Sequence, residues 1–226
     1  MPSFLFSRPR LSPGPLKAPG LALVFFLICS GAAAKADVET IVCMRHGEKT
    51  PTELGQLRVR GLNRALALPD VLISKFGNPQ FIFAPDPARK LVGGRNGQPF
   101  YYYVRPLATI EPTAVKCGLP VNTAFGYTEI AGLEKELLRP DYRNAVVFVA
   151  WEHNWEMKFA AKLVADLGGQ AAEVPEWPSE DYDSLYVIRI AREGGKVSVS
   201  FAHDQEGLNG MSDQLPRAIP AAVSTK

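Results

Sequence analysis

The chain has 226 residues, 46% of them hydrophobic, with 25 Lys and Arg against 23 Asp and Glu and a formal net charge of +2. That length suits one domain with a full core plus a short accessory segment, and the balanced charge, with no basic stripe, gives nucleic acid no footprint. Three cysteines, without zinc-type Cys/His spacing or an acidic calcium loop, imply neither a metal nor a cofactor.

The first 36 residues read as a signal peptide. Arg8, Arg10 and Lys17 form a positive region, residues 21–29 (LALVFFLIC) an apolar core, and Ala34-Lys35-Ala36 a small-x-small cleavage site before Asp37. The apolar run falls short of the ~20 residues of a comfortable membrane span. Cleavage and export, to the periplasm or outside the cell, are therefore expected, with an uncleaved anchor as the alternative. Cys29 follows Ile28, which is not small, so lipidation there is not expected. The segment carries four basic residues and no acidic one. The remainder holds 21 basic against 23 acidic, and the whole-chain pI of about 8.4 belongs mostly to the segment. The expected division is a signal peptide at 1–36, one domain at 37–210 and a loosely held tail at 211–226, rich in proline and small residues.

Residues 38–44 read as a buried parallel strand that stops abruptly on Arg45, His46 and Gly47. A helix is expected over 57–74, broken near Pro69, with Arg58 and Arg60 at its start and Arg64 on a solvated basic face. Residues 80–84 form a second short strand. An excursion rich in glycine and polar residues follows, ending in Tyr101, Tyr102 and Tyr103, which either stack on a substrate or cover the loop. A helix opens at Arg105-Pro106 and closes at Gly118. A brief strand is expected over 119–122, a helix over 127–138, the strongest central strand over 145–151, a helix over 155–167, and a hairpin of 184–191 with 196–202. Cys43 and Cys117, on a strand and a helix, read as independent thiols. Alternation of strands and helices predicts an α/β three-layer sandwich around a mostly parallel sheet.

His46 and His153 each end a buried strand, and in a parallel sheet those ends share one edge, where α/β proteins place their ligands. An imidazole beside a guanidinium there suits attack on a phosphoryl group. At this point the sequence resembles the histidine phosphatase superfamily, the phosphoglycerate mutase-like fold, in its smaller branch. Arg45-His46-Gly47-Glu48 matches the signature. Residues 57–65 are similar to the family's Leu-Thr-x-x-Gly-x-x-Arg-Ala, with Arg58 in place of threonine. Arg105-Pro106-Leu107-Ala108-Thr109, followed by Gly118-Leu119-Pro120-Val121, resembles the segment that carries the second arginine, and makes residues 88–104 an insertion; Arg89 has the shorter spacing from Phe83-Ala84-Pro85-Asp86. Residues 146–153 resemble the strand that delivers the second histidine.

The resemblance implies a metal-independent phosphomonoesterase in which His46 forms a phosphohistidine while Arg45, Arg105 and His153 surround the phosphoryl oxygens. Gly47, Glu48, Arg58, Arg89 and Glu152 are candidate substrate contacts. Glu129, Glu152 and Glu48 compete as proton donor, Glu129 leading on position and Glu152 disfavoured because neighbours on a strand face opposite ways. Asn154 stands where a larger-cap branch carries an acid. His203 reads as a surface residue. Trp177-Pro178 and Asp181-Tyr182-Asp183 read as a pocket wall or a turn, with no role assigned. The expected substrate is a phosphorylated small molecule or glycan; nothing bears on oligomeric state. A phosphate-binding module without turnover is the alternative.

Overall fold

One strand with two buried faces organises the molecule. In the computed structural model, which describes residues 37–51, 54–92 and 100–216, β1 (Asp37–Arg45) is completely buried from Ile41 to Met44. Ile41 and Cys43 join one apolar cluster, while Val42 and Met44 join a second on the opposite side of the sheet. That alternation is the period-2 geometry of a strand covered on both faces. Everything described belongs to the unit Ala34–Lys226; the expected signal peptide lies outside the described residues.

The sheet has six strands in the order β5-β2-β6-β1-β7-β8. β2 (Phe81–Phe83), β5 (Val121–Asn122) and β6 (Val146–Trp151) run parallel with β1, whereas β7 (Ser184–Glu193) pairs antiparallel with β1 and β8 (Lys196–Gln205) antiparallel with β7. Helices α1 (Val59–Phe76) and α2 (Arg105–Cys117) cover the face of Val42 and Met44 through Leu68, Leu72, Ile110 and Ala114. Helices α3 (Ile130–Leu137) and α4 (His153–Asp166) cover the other through Leu133, Leu137, Phe159 and Leu163. This is the expected three-layer α/β sandwich with a mostly parallel sheet.

Register decides what leaves the sheet side by side. Arg45 pairs with Trp151, and the His46 N–H donates to the Trp151 carbonyl at 3.0 Å. The residues that follow, His46 on one strand and Glu152-His153 on the other, therefore emerge at a common edge.

Several expectations change. α1 runs through Pro69 unbroken to Phe76. α4 begins two residues early because the Glu152 carboxylate caps it, accepting the Trp155 N–H at 3.1 Å. The inserted excursion contains a two-stranded antiparallel ribbon, β3 (Leu91–Val92) with β4 (Phe100–Tyr101). The tail is tied to α1 as far as Gln214: Asn63 Nδ2 donates to the carbonyls of Ser212 (2.7 Å) and Gln214 (2.8 Å), and Arg60 pairs with Asp213 at 2.6 Å. Cys43 is buried and Cys117 half-buried, both as free thiols. Among the described residues no helix is long and apolar enough to cross a membrane.

Candidate active site

Backbone packing fixes the turn after β1 before any side chain is considered. A Cβ on Gly47 would lie 2.8 Å from the Gly61 carbonyl oxygen, and one on Gly61 would lie 2.5 Å from the Glu48 carbonyl oxygen, so α1 presses on this turn backbone to backbone. The Arg58 N–H donates to the Glu48 carbonyl at 2.9 Å. From the other side, Thr109 Oγ1 on α2 accepts the Gly47 N–H at 2.8 Å and itself donates to the Arg105 carbonyl at 2.8 Å. The turn is thus held between two helices.

His46, 2% exposed, is set by one bond: its Nδ1 lies 2.7 Å from the Gly47 carbonyl oxygen. A carbonyl only accepts, so Nδ1 carries the proton and Nε2 keeps its lone pair. Burial pushes the imidazole well below its ordinary pKa, and the charges of Arg105, Arg45 and then His153 push in the same direction against the pull of the Gly47 carbonyl. The ring is neutral, with a free lone pair on Nε2, amid positive charge.

Arg45, 1% exposed, donates through Nη1 to the carbonyls of Ser179 (2.6 Å) and Asp181 (2.7 Å), and its guanidinium lies 3.9 Å from the Tyr182 ring centre. Arg105, the first residue of α2 and 5% exposed, faces the Tyr103 ring at 4.9 Å. Tyr103 sits edge-on to His46 at 5.8 Å. Among the described residues, Arg45 Nε, Arg105 Nε and Nη1, the Tyr103 hydroxyl and His153 Nδ1 are buried polar atoms with no protein hydrogen-bond partner. Donors gathered around one imidazole at such a cost suit a site that receives anionic oxygens.

Glu152 is the carboxylate of this cluster. Its Oε1 lies 2.6 Å from His153 Nδ1, an ion-pair distance without hydrogen-bond alignment. Burial pushes Glu152 up, but His153 and the N–H groups of Trp155 and Asn154 outweigh it and hold the carboxyl below its ordinary value. Strand alternation, the argument against Glu152, does not apply, because β6 ends at Trp151 and Glu152 is already the helix cap.

The other candidates lie elsewhere. Glu129 pairs with Arg89 and accepts the Gly126 N–H at 3.1 Å; Arg89 also approaches Asp86 at 3.5 Å, and both partners of the Arg89–Glu129 pair are about half exposed. Neither belongs to the buried cluster, so of the two arginines it is Arg105 that stands with Arg45. Glu48 is gripped by Arg64 at 3.0 and 3.1 Å. Arg58 reaches Asp213 at 3.7 Å and lines a polar cavity of about 220 Å³ shared with Glu48, Lys49, Glu180 and Tyr182. His203 is exposed, as expected, its Nε2 2.7 Å from Ser184 Oγ.

Arg64 is the clear correction. It is completely buried rather than on a solvated face, and its partners are Glu48, Asp183 and Glu206. Tyr103 and Tyr182 are site residues that the motifs do not single out. The tyrosine run at 101–103 was one signal, and the turn before β7 another.

No family model matches the chain, and no curated protein does. Among solved structures, a provisionally named phosphohistidine phosphatase, SixA, from Nakamurella multipartitia is 13% identical with a TM-score of 0.46, over 72% of this chain and 95% of that one. A mycobacterial glucosyl-3-phosphoglycerate phosphatase, solved with inorganic phosphate, is 17% identical with a TM-score of 0.45, over 74% and 95%. A second SixA-named protein, from Agrobacterium tumefaciens, is 15% identical with a TM-score of 0.43, over 73% and 97%. Likeness at this level carries no argument about activity, which rests on the geometry above.

Proposed function

We propose that this chain is an exported phosphomonoesterase of the histidine phosphatase type, acting through a phosphohistidine without a metal. The observation that carries the reading is His46, whose Nδ1 is committed to the Gly47 carbonyl, whose pKa is held down, and which lies among buried donors on Arg45, Arg105 and Tyr103 that have no protein partner. In the first step the Nε2 lone pair forms the N–P bond as the P–O bond to the leaving group breaks. The leaving oxygen takes its proton from the His153–Glu152 pair. Water then attacks phosphorus, the N–P bond breaks, the ring recovers its lone pair, and the Glu152 carboxylate with His153 takes back the proton. Arg45 and Arg105 supply fixed positive charge to the equatorial oxygens throughout, the main contribution a protein makes to phosphoryl transfer.

Export is supported by the sequence of residues 1–36, and the phosphate ester expected there is a small molecule or a glycan. N-terminal sequencing of the secreted or periplasmic form is expected to begin at Asp37. Release of phosphate from a generic ester is expected to survive chelation and to vanish in His46→Ala. A metal requirement, or activity remaining in that variant, overturns the assignment.

One observation favours a second reading, a phosphate-ligand binding module: Glu152, the carboxylate beside His153, has its pKa held below the ordinary value and so carries no proton of its own for a leaving group. That reading predicts thermal protection by phosphate with no ester hydrolysed.

A further inference from the structure

A second buried cluster, centred on the arginine of segment 57–65, has no part in the reaction above. On α1, Arg64 makes a fork of bonds to three separate parts of the chain. Nε and Nη2 donate to Glu48 at 3.1 and 3.0 Å, and Nη1 donates to Asp183 at 3.1 Å and to Glu206 at 2.5 Å. Each partner leads to a working part of the site. Glu48 follows His46-Gly47 directly. Asp183 follows Tyr182, whose ring lies over Arg45 and 6.3 Å from His46, and the Asp183 N–H donates to Asp181, whose carbonyl anchors Arg45. Glu206 follows directly on β8, and the Asp183 carboxylate accepts the N–H groups of Gly207 and Leu208 at 3.0 and 2.6 Å.

We propose that Arg64 is a positioning residue for phosphoryl transfer. By holding Glu48, Asp183 and Glu206 at once, it sets the spacing between the nucleophile's turn and the turn that carries Tyr182 and the anchor of Arg45. The proposal rests on the assignment of His46 and Arg45 to a phosphoryl site. The geometry requires a planar cation with donors in two directions, which arginine has and lysine lacks. A point charge satisfies the electrostatics of Glu48 or Asp183 but cannot bridge the two turns in fixed register. Displacement of a reacting group by about 1 Å lowers turnover by up to roughly 10²-fold, so the cost of the exchange falls on catalysis as well as on stability. Burial together with Asp183 and Glu48 pushes Glu206 up to about 8 against the pull of Arg64, so near neutral pH the cluster holds a proton in addition to the guanidinium.

Three variants of the full chain test this: Arg64→Lys, Asp183→Asn and His46→Ala. Phosphate release is read as kcat and KM, inorganic phosphate affinity by calorimetry, and folding by melting temperature. For folded Arg64→Lys, kcat is expected to fall about tenfold or more, and phosphate affinity to weaken at least about threefold, well below the melting temperature. A merely structural arginine gives a lower melting temperature with kcat and affinity within about twofold of the parent, and that result overturns the proposal. If Arg64→Lys does not fold, Asp183→Asn decides, because it keeps the Glu48 and Glu206 bonds: weakened phosphate affinity supports the role and unchanged affinity removes it. His46→Ala separates the two levels of the argument. If the parent protein binds phosphate but releases none, the hydrolase assignment fails, and the affinity of the Arg64 and Asp183 variants still decides whether the cluster shapes the site.

Discussion

Two buried guanidinium sites, Arg64 on α1 and Arg105 on α2, are built on opposite terms. Arg64 is saturated, with Glu48, Asp183 and Glu206 around it. Arg105 is 5% exposed, has two nitrogens without a protein hydrogen bond, and adds its charge to those of Arg45 and His153 beside a neutral imidazole. Taking a cation out of water is unfavourable unless partners are supplied. The first site supplies them from the fold and spends them on register. The second leaves them to come from outside, which is what an anion-binding site requires.

The comparison breaks most sharply at the nucleophile. His46→Ala is expected to lower phosphate release at least roughly 10⁴-fold, as loss of a covalent nucleophile does, without loss of melting temperature. Arg105→Ala is expected to lower kcat/KM by about 10²–10³-fold, the size of a lost oxyanion donor. It should also lose the rise in melting temperature that phosphate gives the parent protein. Arg64→Leu inverts that pattern in a denaturation experiment: three carboxylates lose their partner, and about 3–5 kcal/mol of stability is expected to go with it. Should Arg105→Ala destabilise and Arg64→Leu leave the fold intact, the distinction between the two sites is wrong.

A finer cut separates the carboxylates. Glu152→Gln is expected to reduce kcat at least about tenfold, since it removes the proton partner of His153, whereas Glu129→Gln, which breaks an exposed pair with Arg89, is expected to stay within about twofold. Initial rates on one ester decide between them. A last expected effect is a pH dependence of stability remote from the site. Glu39 on β1 is completely buried, 2.9 Å from Arg192, and burial pushes it up from 4.5 to about 7 against the pull of Arg192 and Arg143. Between those values the folded chain holds a proton that the unfolded chain has released. The stabilisation is complete below about 4.5 and is lost as pH rises through 7, by on the order of 3 kcal/mol. Glu39→Gln is expected to flatten that part of a melting-temperature profile, and an unchanged slope refutes the assignment.

Much of the frame was legible in the residues. An apolar β-branched run ending in Arg45-His46-Gly47, and a second ending in Glu152-His153, located one edge of the sheet, because a parallel register leaves adjacent strands in step. Arg105 was preferred to Arg89 from the segment downstream of it. What was not legible depended on partners distant in sequence. Arg64 looked solvated because its carboxylates come from residues 48, 183 and 206, yet it falls four residues before Leu68 and eight before Leu72, on the helix's buried face. Glu152 was discounted by strand alternation because the boundary between β6 and α4 depends on a cap bond that spacing alone does not show. Tyr103 and Tyr182 enter the site from turns, where no periodicity marks them.

The place of β1 in the sheet also governs when the protein can begin to work. The strand that leads into His46 lies between β6 and β7, so its two neighbours are made more than a hundred residues after it, and the residue that closes the Arg64 cluster, Glu206, comes later still. A nascent chain on the ribosome therefore carries a greasy, unpaired segment until β6 emerges, a state in which helper proteins find it unfolded. Products that stop short of the final hairpin are expected to be inert rather than partly active, since they lack β7, the antiparallel neighbour of β1, and Glu206, which completes the Arg64 cluster.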